Sequence, residues 1–138
     1  MRDWHSFNAN VIAEFRANGG VVGRFGGLPL VIVHAFGAKT GAIREFPLIP
    51  VFEDDRMLLF GTAQGAPADP AWCFNLRANP RVRIELGDEQ FVADVNELPA
   101  DEAADIVGRR AATTPQLADY VASAGRPIPV FEVTRIDE

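Results

Sequence analysis

The chain has 138 residues, 48% of them hydrophobic and 23% charged, with a formal net charge of −6. That length predicts a single domain, 1–138, that buries a core of its own without disulfides or metal. The acidic balance excludes a general nucleic-acid binder, which needs a basic face to release counterions.

A lone cysteine, Cys73, leaves no internal disulfide framework and fits a reducing compartment. No apolar run approaches the roughly 20 residues that cross a bilayer, which leaves only peripheral contact with a membrane surface. The N-terminus lacks a charged-then-apolar signal pattern, so a cytoplasmic location is expected.

In chain order, residues 6–18 read as a helix capped by Ser6, with Phe7, Val11, Ile12 and Phe15 on one face and Gly19-Gly20 as its stop. Arg16 suits the negative end of that helix, or else reaches an anionic ligand. Strands follow. Val21-Val22 and Phe25 lead through Gly26-Gly27 into the apolar strand Leu30 to Phe36. A tight turn, Gly37-Ala38-Lys39-Thr40-Gly41, joins it to a strand from Ile43 to Phe52 that Pro47 and Pro50 interrupt. Two prolines so close point to an edge, a bulge or the seam of a splayed barrel. The polar turn Glu53-Asp54-Asp55-Arg56 and the strand Met57 to Ala63 then suggest a meander closing into a barrel.

After a loop of small residues, Asp69 is placed to cap a helix over 70–78 that opens on Pro70 and carries Trp72. Arg81-Val82-Arg83 alternates as a strand's solvent face would. Val82, Ile84 and Leu86 form that strand, and Phe91, Ala93 and Val95 the return after Gly87-Asp88. Helices are expected over 100–112 and 114–124, the second opened by Thr114-Pro115 and ended by Gly125. A last strand begins at Pro127, so the barrel is assigned to 21–98 and 127–136.

The Lys39 turn holds the chain's one lysine. With backbone N–H groups, the Thr40 hydroxyl and the Arg44 guanidinium beside it, it makes an anion-binding corner suited to a phosphate. A solvated hairpin turn with incidental charges is the alternative. Other chemistries find no support. The turn lacks Walker spacing, and Gly-x-Ser-x-Gly is absent. His5 and His34 stand far apart with no second ligand at i+4, so no metal site is expected. With no catalytic side chain in evidence, a bound cofactor that carries the chemistry itself is the natural reading.

Four segments, in order, carry a resemblance. They are Asn10-x-x-x-Glu14-Phe15-Arg16-x-Asn18-Gly19-Gly20; Gly37 to Gly41 with Arg44 and Pro47-Leu48; Gly65 with Pro70-x-Trp72-x-x-Asn75-Leu76-x-x-Asn79-Pro80; and Tyr120 followed by Arg126-x-Ile128-Pro129. Together they cover nearly the whole chain and resemble the deazaflavin-dependent nitroreductase family, actinobacterial enzymes that use coenzyme F420. The resemblance implies a split β-barrel, an antiparallel sheet of six to seven strands with flanking helices (α+β, FMN-binding-like).

It also implies that Ala38, Lys39, Thr40 and Arg44 hold the phosphate and the start of the acidic tail. Glu45, Phe46, Pro47, Leu48 and Ile49 would line the tricyclic ring, and Phe60, Gly61, Thr62 and Ala63 would meet it from the next strand. Ala71, Trp72, Cys73, Phe74 and Asn75 would close over it, and Tyr120 would face the substrate. The implied activity is hydride transfer from reduced F420 to a small-molecule acceptor: a quinone, a nitroaromatic or an activated enone. FMN in place of F420, or a non-catalytic module that sequesters a cofactor or lipid, are the alternatives. Exposed strand edges of an open barrel make a homodimer attractive. Departures from the family pattern are Ala38 where an arginine is usual, Ala42, Phe46, Gln64 for the first glycine of a pair, and Leu117 and Ser123 where aromatics accompany the tyrosine.

Overall fold

The computed structural model describes residues 4–20, 22, 23 and 30–136, without the side chains of residues 4–6. α1 begins at Trp4, so Ser6 lies within the helix rather than at its cap; Val21 and the passage through Phe25 to Gly27 lie outside the described residues. The elements are α1 (Trp4–Ala17), β1 (Val31–Phe36), β2 (Ile43–Leu48), β3 (Val51–Glu53), β4 (Arg56–Phe60), α2 (Ala71–Ala78), β5 (Arg81–Leu86), β6 (Glu89–Glu97), α3 (Ala100–Ala111), α4 (Pro115–Ala124) and β7 (Val130–Arg135).

All seven strands form one antiparallel sheet in the order β2-β1-β5-β6-β7-β4-β3. Its two outer strands, β2 and β3, are consecutive in the chain and joined only by Ile49-Pro50. Laid flat, strands about 4.8 Å apart would put the outer two roughly 29 Å from each other. Leu48 and Val51 are three residues apart, a reach of at most about 11 Å. The sheet must therefore curl on itself, which makes it a barrel split at the Ile49-Pro50 seam. The two prolines sit where proline is tolerated, Pro47 in an outer strand and Pro50 in the seam.

This corrects the meander. β1 pairs with β2, and β3 with β4, as expected from their short turns. The two hairpins nevertheless lie at opposite ends of the sheet order, because the proline-broken seam carries no ladder between β2 and β3.

Alternation along the strands sorts side chains between the two faces. Val31, Val33, Ala35, Leu59 and Ile84 point to the barrel interior, where Trp72, Cys73 and Leu76 of α2 join them. Ile32 faces the other way and packs with Val11, Ile12 and Phe15 of α1. Leu58 and Val130 meet Ile106, Val107 and Ala124 of α3 and α4. The Asp69 cap expected before α2 is absent, Pro70 holding that position, while Thr114 stands at the N-cap of α4 without a side-chain cap bond. Asp69 is instead drawn into ion pairs with Arg77 and Arg126.

Candidate functional site

The β1–β2 turn closes on itself. Gly37 donates to the Ala42 carbonyl at 2.7 Å, Gly41 to the Gly37 carbonyl at 2.8 Å, and Ala42 to the Thr40 hydroxyl at 3.2 Å. Gly41 takes a φ of 73°, a left-handed value that suits glycine. The Ala38 N–H donates to Oδ1 of the buried Asn75 at 3.0 Å, tying the turn to α2. The turn is thus a less open donor nest than its sequence suggests. Among the described residues, the N–H groups of Lys39 and Thr40 remain without a partner.

So do two cations. Neither the Lys39 ammonium nor the Arg44 guanidinium has a hydrogen-bond or ion-pair partner among the described residues. Every other described arginine is engaged. Arg16, Arg56, Arg77, Arg81, Arg109, Arg110, Arg126 and Arg135 meet carboxylates, and Arg83 meets Gln90. Arg44 stands opposite Ala35 in the β1–β2 register, on the face shared with Phe46 and Leu48, which pack against the barrel interior. The corner therefore opens beside an apolar wall.

α2 gathers the neighbouring segments. Asn75 holds Ala38, and Gly61 lies against Cys73: a Cβ at Gly61 would come within 2.8 Å of the Cys73 Sγ and 2.7 Å of Pro129. From Gly61 the chain enters a single turn, Ala63–Gly65, in which Ala63 and Gln64 adopt left-handed φ values of 47° and 55°. α4 backs this turn, with Ser123 donating to the Gly65 carbonyl at 3.1 Å and the half-buried Tyr120 one helical turn earlier. Arg126 pins the whole stretch. It donates to the carbonyls of Gly61 and Thr62 at 3.2 Å each and of Ala66 at 3.1 Å, and pairs with Asp69 at 2.8 Å.

Several expected site side chains lie elsewhere. Trp72 and Cys73 are core residues, Trp72 packed edge-on against Phe131 with ring centroids 5.4 Å apart. Burial pushes the Cys73 thiol up to about 12, so it is no nucleophile. Phe60 packs with Leu58 and Val130 toward α3 and α4, and Phe74 is exposed and covered in part by the Arg77 guanidinium. Glu45 faces away from Arg44, since neighbours in a strand alternate.

On that opposite face Glu45 and the buried Glu85 share Arg16, whose Nη2 lies 2.6 Å from one carboxylate and 2.7 Å from the other. His34 Nε2 is 2.6 Å from Glu85. Ligand-type atoms of His34, Glu45 and Glu85 lie within 4.8 Å of one another, but the guanidinium already acts as their cation. The hydrogen bonds that Arg16 donates to Glu85 and Glu45 raise its pKa, and the same bond to Glu85, against the effect of burial, holds that carboxyl below its ordinary range. Arg16 thus neither reaches for an outside anion nor serves only the helix dipole.

A family model described as F420H2-dependent quinone reductase matches residues 7–135. The chain belongs to that family. An F420H2-dependent quinone reductase of Mycobacterium tuberculosis is 32% identical over 130 residues, covering 89% of this chain and 86% of the relative. A solved F420H2-dependent reductase is 33% identical with a TM-score of 0.63, covering 76% of this chain and 93% of that one. A second solved structure, described as a domain-swapped dimer, is 28% identical with a TM-score of 0.65 and covers 95% of this chain and 99% of its own.

The cofactor implied by the quinone reductase family is reduced coenzyme F420. Its charged end calls for donors and cations not already neutralised by protein carboxylates, and its ring for an apolar wall. The unpaired Lys39 and Arg44, beside Phe46 and Leu48, meet both demands. Sequence reasoning missed Arg126 and the Arg16 cluster as parts of the site's support. Only the Arg-x-Ile-Pro segment hinted at Arg126, and nothing local could show that β1, β2 and β5 bring His34, Glu45 and Glu85 together.

Proposed function

We propose that this protein is an F420H2-dependent quinone reductase whose cofactor is held at the Lys39–Arg44 corner. The observation that carries this reading is the pair of cations left without carboxylates in a chain whose other described arginines are all engaged. When bound, reduced F420 supplies the hydride for the acceptor. The chain's own part is to bind and orient. Lys39, Arg44 and the Lys39 and Thr40 N–H groups receive the anionic end, with Ala38 held by Asn75. Phe46, Leu48, the backbone of residues 47, 49 and 61–63, and the start of α2 at Ala71 offer the ring its surroundings. Tyr120, behind the Ala63–Gly65 turn, is assigned to the acceptor side.

Among the described residues no helix is long and apolar enough to cross a membrane, and the free, buried Cys73 fits the reducing cytoplasm proposed for this one-domain enzyme. A homodimer is supported by the relative described as a domain-swapped dimer and by exposed Ile43, Ile49 and Phe52 along the open edges and seam. The test is to mix purified protein with F420H2 and a quinone panel and follow oxidation of the cofactor. Turnover is expected. Tight binding without turnover would replace this reading with cofactor sequestration, and protein that retains FMN would replace the cofactor.

A further inference from the structure

The Arg16 cluster lies directly behind the strand that presents Arg44. β2 is an outer strand, hydrogen-bonded on one side only, to β1. Its inner face is fixed by Phe46 and Leu48 against the barrel interior. On its other face, Glu45 is the side chain with polar partners, and the strong one is Arg16 at 2.6 Å. Arg16 is itself held firmly. The Glu85 carboxylate accepts from both Nε, at 3.3 Å, and Nη2, at 2.7 Å, while His34 braces Glu85 from β1. The Arg16 guanidinium thus links the outer strand to β5, two strands further in, with His34 Nδ1, 3.5 Å from Glu45, as a weaker second contact.

Resting on the cofactor reading above, we infer that Arg16 is a positioning residue for the cofactor corner, acting through Glu45 to fix where Arg44 and Phe46 stand. The two neighbours of Glu45 point into the corner because strand residues alternate, so a shift of Glu45 is carried to both through the backbone. α1 does not depend on this link to stay in place. Val11, Ile12 and Phe15 seat it on Ile32, Leu30 and Val22. Removing Arg16 therefore frees the strand rather than the helix. An anion bound by Lys39 and Arg44 would feel that freedom as lost preorganisation, while the interior wall proposed for the ring lies on the opposite face of β2 from Arg16.

The experiment compares Arg16→Ala, Glu45→Gln and their combination in the full-length protein. Each single change raises KM for F420H2 by about five- to twentyfold and moves kcat with a quinone by less than about twofold, since the link serves binding alone. The double variant is no worse than Arg16→Ala, because both changes cut one link. Without cofactor, amide hydrogen exchange over residues 43–48 quickens in Arg16→Ala while α1 keeps its protection. Should Arg16→Ala fail to fold, Glu45→Gln weakens the same link from its less exposed end by removing the carboxylate charge. Unchanged exchange over residues 43–48, or effects on KM that multiply in the double variant, would overturn the inference. If β2 loosens while Lys39→Ala leaves cofactor affinity intact, it is the Lys39–Arg44 assignment that fails.

Discussion

The two faces of β2 treat charge in opposite ways. Behind the strand, Glu45, Glu85, His34 and Arg16 form a closed group in which the cation has two carboxylate partners within 2.7 Å. In front, Arg44 and the nearby Lys39 have none among the described residues. A chain with 19 acidic and 13 basic residues has carboxylates to spare, so leaving those two cations bare is a property of the fold rather than a shortage of partners. Charges that hold elements together are paired within the protein, and the two proposed to meet a ligand are kept from such partners.

The sharpest way to break this contrast is to remove the bare pair. Lys39→Ala is expected to weaken F420 binding by about 1.5–3 kcal/mol, the scale of a charge-assisted hydrogen bond, and Lys39→Ala with Arg44→Ala by about 3–6 kcal/mol. Stability should stay within about 0.5 kcal/mol of the parent, since no intramolecular partner is lost. A fluorescence titration of the cofactor and a urea melt read the two quantities. Unchanged affinity would remove the corner from the site.

Arg126 should behave in the reverse manner. It is 12% exposed and serves four backbone carbonyls, those of Gly61, Thr62, Ala66 and Pro127, and Asp69 at once. Arg126→Ala leaves those acceptors without their donor in a partly buried place, and a loss of about 2–3 kcal/mol of stability is expected. A urea melt that shows less than about 0.5 kcal/mol would mean that water replaces the guanidinium at no cost, and the clamp would be incidental.

How far the sequence shows this contrast depends on how local the physics is. The Lys39 turn was legible because a lysine, two glycines and an arginine fall within eight residues, and Pro47 with Pro50 announced the broken strand. Helices α3 and α4 were legible from their apolar stripes and from Gly125. Pairings across the sheet were not, because the sheet order places β5 beside β1 and β7 between β6 and β4. Asp69 reads as a helix cap in sequence only because Arg126, 57 residues away, is invisible there. Trp72 reads as a platform for a flat ring for the same reason, its partner Phe131 being supplied by β7.

Acid sharpens the view of the paired face. The folded Glu85 carboxyl lies below its ordinary range because of Arg16 first and His34 after it, with burial opposing. A carboxylate with a lowered folded pKa contributes stability that is complete above its unfolded value, near 4.3, and is lost as pH falls through the folded value. Glu85→Gln is therefore expected to cost about 1 kcal/mol at pH 7. It should also flatten the decline in stability below about pH 4.5. Glu97, lowered by Arg77, keeps its own share of that decline. Parallel acid titrations of the two proteins would count against the cluster's role if their slopes coincide.

The smallest effect separates the two turns that frame the corner. In the Lys39 turn the left-handed residue is Gly41, which bears no steric cost, whereas beyond Gly61 the same region of backbone space holds Ala63 and Gln64. An L-residue there costs roughly 1–2 kcal/mol relative to the right-handed region, partly offset by the greater freedom glycine would have in the unfolded chain. Ala63→Gly is expected to stabilise the protein by about 0.5–1 kcal/mol in a urea melt. The gain should leave cofactor affinity nearly unchanged, because the contact proposed at residue 63 is made by backbone, which glycine keeps, and the anionic end is assigned to Lys39 and Arg44. A variant that gains stability but loses affinity would show that the strained turn is held for the ligand's sake, and the division between a binding corner and a supporting loop would have to be redrawn to include it.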